Sequence, residues 1–209
     1  VRSGMTVGLG TGSTVRHFVD LLGAALSRGE LQDIVGVPTS VQTRGQALKV
    51  GIPLVGLGDR KWLDLTVDGA DEVSPGLDLI KGLGGALLRE KMVAQASRHL
   101  LVITDDSKLV DRLGQRGPLP VEVVDWALDA QIYFLEGTGA SVALRRNSEG
   151  APARSDNGNV FLDCRYPDGI ADASELERTL AYRAGILDCG LFLGMADRVV
   201  VASPDGVRT

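Results

Sequence analysis

Short apolar runs alternate with amphipathic stretches through the first half of the chain. Residues 5–9 are apolar and lead into the loop GLGTGST. VRHFVDLLGAAL then sets Val15, Phe18, Val19, Leu22, Ala25 and Leu26 at helical spacing, which predicts a strand, a loop and a helix. Ser13 or Thr14 is the expected N-cap of that helix. DIVGVPTS reads as a second strand, and VQTRGQALKVGIP as a weaker helix broken at Gly51 and Pro53. A strand near residues 63–67, a loop DGADEV and a short strand at 77–80 come next. KGLGGALLREKMVAQASRHL is a glycine turn running into a helix, and the apolar strand LLVIT precedes DDSKLV.

Apolar strands alternating with helices predict an α/β, Rossmann-like fold with a mainly parallel sheet covered by helices. Polar clusters follow the strands at 11–14, 68–71, 81–85 and 105–108. The carboxyl ends of parallel strands form the ligand crevice of such sheets, so four segments are expected to converge.

The pattern changes near residues 118–120. VEVV reads as a strand and DWALDAQIYFLEG as a helix ending at Gly137. SVALRR and VFLDC flank a polar loop ending in SDNGN, a hairpin signal. ADASELERTLAYRAG is a helix stopping at Gly185, and ILDCGLF is a last strand. The order β-α-β-β-α-β is that of a smaller ferredoxin-like α+β module. RVVVASPDGV is expected to return to the first sheet. The expected domains are residues 1–117 with 198–209, and residues 118–197.

Composition narrows the function. The 209 residues include 22 basic and 27 acidic ones, a net charge of −5, which argues against a nucleic-acid partner. No apolar run approaches the roughly 18 residues of a membrane span, and no signal peptide is visible. The two cysteines, Cys164 and Cys189, lack metal or redox spacing and read as reduced, buried thiols of a cytoplasmic protein. The chain begins at Val1, close to the first strand, so a segment upstream is expected.

The glycine loop is the first candidate for chemistry. Gly8, Gly10 and Gly12 fit G-x-G-x-G, with Ser13 at the sixth position of a dinucleotide fingerprint and no acid after the second strand. No lysine makes it a nucleoside-triphosphate loop. Glycines that admit backbone N–H groups, a helix N-terminus and the hydroxyls of Ser13 and Thr14 suit one small phosphate. A plain strand-to-helix turn is the alternative.

In DGAD, Asp68 and Asp71 stand three apart on a turn, with Lys81 after the next strand. Two carboxylates and a lysine can hold and polarise a polyol, although a bare Asp-Gly turn is equally common. Metal binding lacks a histidine or third acid at ligand spacing. Gly82, Gly84 and Gly85 offer backbone donors to a developing oxyanion. Glu90, early in the next helix between Arg89 and Lys91, is placed for proton transfer if it faces the crevice, and is otherwise a surface residue. Lys108 by itself reads as a solvated lysine, and His17 and His99 as structural residues.

Taken together, VGLGTGST, VPTS, VDGADEV, IKGLGGALLREK, ITDDSK, PLPVEV, DNGN, GLF and SPDGV resemble ribose-5-phosphate isomerase, type A, in order and over nearly the whole chain. The resemblance implies interconversion of ribose 5-phosphate and ribulose 5-phosphate without metal or organic cofactor. It implies Glu90 as the base, and Asp68, Asp71 and Lys81 as further catalytic groups. The substrate-binding segments it implies are Thr11, Gly12, Ser13 and Thr14; Asp68, Gly69, Ala70 and Asp71; Lys81, Gly82, Leu83 and Gly84; and Lys108. It also implies a homodimer or homotetramer, and a helix ahead of the first strand with a basic residue near the phosphate. Another sugar-phosphate isomerase, a CoA transferase with a related sheet, and the sugar-sensing domain of a transcriptional regulator are the other readings.

Overall fold

A computed structural model describes residues 1–209. In chain order the elements are β1 (Thr6–Leu9), α1 (Ser13–Ser27), β2 (Val35–Pro38), α2 (Val41–Lys49), β3 (Leu65–Asp68), β4 (Glu72–Val73) and β5 (Leu79–Ile80). They continue with α3 (Leu87–Gln95), β6 (Leu100–Asp105), β7 (Leu119–Val123), α4 (Leu128–Glu136), β8 (Ser141–Leu144) and β9 (Val160–Arg165). The last are α5 (Ala173–Ala181), β10 (Ile186–Cys189), β11 (Leu191–Phe192), β12 (Arg198–Ser203) and β13 (Gly206–Arg208). The chain forms two compact units. One comprises Val1–Ala70, Arg89–Ser107 and Met195–Thr209, the other Asp71–Leu88 and Lys108–Gly194.

The first unit holds a six-stranded sheet in the order β13-β12-β6-β3-β1-β2. All neighbours run parallel except the β12–β13 hairpin. Val7 and Leu9 of β1 bury one face against Val15, Val19 and Leu22 of α1 and Ala47 of α2. Gly8 points to the other face, where an added Cβ would stand 2.7 Å from Val93 of α3. Helices therefore cover both faces, as the unbroken apolar strands predict. From β1 the chain winds out to β2, then back across β1 to β3. That reversal is the topological switch point of an open α/β sheet, where ligand crevices form.

One local expectation changes. Gly12, not Ser13 or Thr14, is the N-cap of α1, at φ 128° and with no side-chain cap. Only glycine adopts that backbone readily, and it carries both hydroxyls into the first helical turn, where they do not serve the helix. At α2 the cap is conventional: Ser40 accepts from the Thr43 N–H.

The second unit contains an antiparallel sheet in the order β10-β7-β9-β8. This is the strand order of a ferredoxin-like β-α-β-β-α-β module, with α4 packed on β8 and α5 on β10. Leu119, Val121 and Val123 of β7 are fully buried in its core, alongside Leu162, Cys164 and Leu191. The helix expected from residue 125 begins at Leu128, because Ala127 takes a left-handed conformation at φ 50°. The expected single strand ILDCGLF is two strands. At Gly190 the chain leaves β10 for β11, which joins β5 and β4 in a separate three-stranded sheet. Pairing of β11 with β5 groups residues 71–88 with this unit, and Glu72 groups the segment after Lys108 with it.

Candidate active site

In the first unit the carboxyl ends of β1 and β3 meet. Asp68, the last residue of β3, is 1% exposed. Its Oδ1 accepts the N–H of Thr11 at 3.1 Å and of Gly69 at 2.7 Å. The aspartate thus fastens the glycine loop to its neighbouring strand. Past that clamp the loop turns at Gly12, and the first turn of α1 presents N–H groups with no helical acceptor. The exposed Ser13 and half-buried Thr14 bring two hydroxyls to the same helix terminus. The helix dipole favours an anion there. The Thr11 hydroxyl is instead engaged with Thr39, Ser40 and Thr43.

Glu90 lies in the first turn of α3 and is 4% exposed. It is not the surface residue its charged neighbours would suggest. Val93, three residues on and so on the same helix face, packs over Gly8 of β1. Lys91 is also buried, at 6% exposure.

The second unit carries the other sequence-predicted residues. Half-buried Asp71 accepts the N–H of Leu83 at 2.9 Å through Oδ2, and its own N–H donates to the Ile80 carbonyl. The residue just before β4 and the glycine turn after β5 are thereby tied together. Lys81 is 3% exposed, with Nζ 5.5 Å from the Phe192 ring centroid. Of the N–H groups of residues 82–85, that of Leu83 is used by Asp71, and that of Gly85, one of the three expected oxyanion donors, donates to the Gly82 carbonyl. That leaves Gly82 and Gly84. Lys108 closes the short turn Asp106–Lys108 and is half-buried.

Three supports have no clear sequence signal. Arg145 donates through Nη1 to the carbonyls of Gly82 and Leu83, at 3.0 and 3.1 Å. It also pairs with Asp163 through Nε and Nη2 and lies over the Phe161 ring at 4.7 Å. Glu72, 1% exposed, accepts the N–H groups of Gly114, Arg116 and Gly117 at 2.6, 2.7 and 2.8 Å. It is a loop anchor. The third is the hydroxyl group around Thr11.

The pattern of the family described as ribose 5-phosphate isomerase A (phosphoriboisomerase A) matches residues 35–206. The chain is 50% identical over 208 residues to the ribose-5-phosphate isomerase A of Chloroflexus aurantiacus, covering 100% of this chain and 87% of that protein. Among solved structures it resembles a D-ribose-5-phosphate isomerase in complex with phospho-erythronic acid, at TM-score 0.97 and 42% identity over 100% of this chain and 91% of that one. The ribose 5-phosphate isomerase of Plasmodium falciparum superposes with the same TM-score, 0.97, at 37% identity and the same coverage, 100% and 91%. A glycine loop at the switch point of a parallel sheet, a buried glutamate after a glycine turn, and likeness along the whole length agree: the chain belongs to the ribose 5-phosphate isomerase A family.

Proposed function

We propose that this protein interconverts ribose 5-phosphate and ribulose 5-phosphate, with Glu90 as the base that moves the proton between C2 and C1. Family membership supports the reaction, an aldose–ketose isomerisation, over the sensor and transferase readings. The observation that carries the role of Glu90 is its burial at 4% exposure on the α3 face that packs against β1. A carboxylate held away from bulk water is suited to take and return one proton without losing it to solvent.

In this reading the phosphate rests at the N-terminus of α1, on the N–H groups of Gly12, Ser13 and Thr14 and the hydroxyls of Ser13 and Thr14. Glu90 removes the C2 proton of the open aldose, and the electrons move through C1–C2 onto O1 to give an enediolate. The same carboxyl returns the proton to C1. The O2 proton passes to O1 with the help of Asp68 or Asp71, leaving the carbonyl at C2. Lys81 and the free N–H groups of Gly82 and Gly84 offset the charge on the enediolate oxygens. Lys108, Gly69, Ala70 and Leu83 complete the binding segments. We place the protein in the cytoplasm, as its two buried thiols suggest, and as a homodimer or homotetramer, as the family resemblance implies; no helix is long and apolar enough to cross a membrane.

Glu90→Gln tests the role. Turnover is expected to fall by roughly 10²–10⁴ with KM little changed. A near-normal kcat removes Glu90 from the role.

A further inference from the structure

Four hydroxyls meet behind the glycine loop. Thr11 Oγ1 is 2.7 Å from Thr39 Oγ1, donates to Ser40 Oγ at 2.9 Å, and is 3.2 Å from Thr43 Oγ1. Ser40 Oγ donates to Thr43 Oγ1 at 3.0 Å. The group is anchored to backbone: Thr43 Oγ1 donates to the Gly10 carbonyl at 2.9 Å, and Thr39 Oγ1 to the Leu9 carbonyl at 3.1 Å. Thr39, Ser40 and Thr43 are 0%, 7% and 3% exposed.

Each hydroxyl carries one proton, and the cluster offers more acceptor contacts than its four protons can serve. The Thr11 proton is therefore spent inside the protein. Buried hydroxyls are costly unless paired, so a site that needed only packing would be served by valine or alanine. What the cluster joins gives its use. Leu9 and Gly10 end β1 and begin the loop, while Ser40 and Thr43 are the cap and first turn of α2. Asp68 holds the same loop from the β3 side through the Thr11 N–H. Thr11 is thus fixed by its backbone on one side and its side chain on the other.

We propose that Thr39, Ser40 and Thr43 are positioning residues for the phosphate loop. They act through the Thr11 hydroxyl, which serves as their tether and not as a phosphate ligand. The inference rests on the sugar-phosphate reading above. Its effect is preorganisation: the N–H groups and hydroxyls beyond Gly12 are held in place before an anion arrives.

The test compares the wild type with Thr43→Val, Thr43→Ser, Thr11→Val and the double variant T11V/T43V. It reads kcat and KM for ribose 5-phosphate, and the Kd for inorganic phosphate by titration calorimetry. Thr43→Val is expected to raise KM and the phosphate Kd about tenfold, with kcat within about twofold. Thr43→Ser keeps the hydroxyl and restores both. Thr11→Val matches Thr43→Val, and the double variant is scarcely worse than either, because both cut the same tether. Unchanged KM and phosphate Kd in Thr43→Val overturn the proposal. So do additive losses in the double variant, which mean that Thr11 reaches the phosphate independently. Should Thr43→Val fail to fold, Thr39→Val carries the same comparison. A wild type that binds phosphate but does not isomerise the sugar defeats the catalytic reading alone, and calorimetry still judges the tether.

Discussion

A Cβ on Gly10 would stand 2.1 Å from Oδ1 of Asp68 and 2.7 Å from its Cα. The glycine loop and the end of β3 are therefore closer than any other residue type permits at position 10. Because the contact includes backbone, a side-chain rotation of Asp68 does not relieve it. Gly10→Ala is expected to push the loop off the Asp68 clamp, raising KM for ribose 5-phosphate at least tenfold and lowering stability by about 1–3 kcal/mol. Steady-state kinetics and thermal unfolding check both. A variant with wild-type KM would show that the close approach does not matter to binding.

Glu72 collects three N–H groups of residues 114–117 on its two oxygens. In Glu72→Gln one acceptor becomes an NH₂ donor facing a donor. A loss of about 1–3 kcal/mol is expected, together with faster proteolysis within residues 108–117. Denaturant unfolding and limited proteolysis measure these. Equal stability of the two proteins would count against the anchor.

Arg145 joins the Gly82 and Leu83 carbonyls to Asp163 with one planar guanidinium. Lysine keeps the charge but cannot serve both partners or lie flat on Phe161. Arg145→Lys is therefore expected to behave like Arg145→Ala, with kcat reduced about tenfold because the glycine turn carrying Gly82 and Gly84 loosens. Full activity in the lysine variant would show that charge alone suffices.

Burial pushes the Cys164 thiol up to about 12 from 9.0, and the Tyr166 phenol up to about 12 from 10.0. Both groups lose their protons at lower pH in the unfolded chain than in the folded one. Their contribution to stability is thus complete below about pH 9 and is lost as pH climbs from there towards 12. Urea midpoints measured between pH 8 and 10.5 should decline, and the decline should be shallower in Cys164→Ala. Both cysteines are buried, so native protein should react slowly with a thiol reagent and unfolded protein fast.

Much of this was readable in the chain itself. The strand–helix alternation fixes a parallel sheet, and the β-α-β-β-α-β order of the later half appears as the sheet order β10-β7-β9-β8. Where glycine was needed for close approach or for positive φ, at Gly10 and Gly12, the loop motif marked the place. Nothing in DGADEV marks Glu72 as a loop anchor. Its partners lie 42 to 45 residues away and are backbone groups, which have no sequence signature. Arg145 likewise carries no local signal, being 62 residues from the Leu83 carbonyl it holds.

The periodicities, the phosphate-suited loop at the end of a strand, and one carboxylate after a glycine turn are all contained in the order of the residues. Those are local properties, set by side-chain spacing and by backbone freedom. The burial of Glu90, the inward turn of Thr11 to Thr39, Ser40 and Thr43, and the clamp that Asp68 sets on the loop arise with folding. A hydroxyl or carboxylate is equally content with water or with a protein partner. Which it finds depends on what the folding of distant segments brings within 3 Å, and spacing along a chain does not contain that distance.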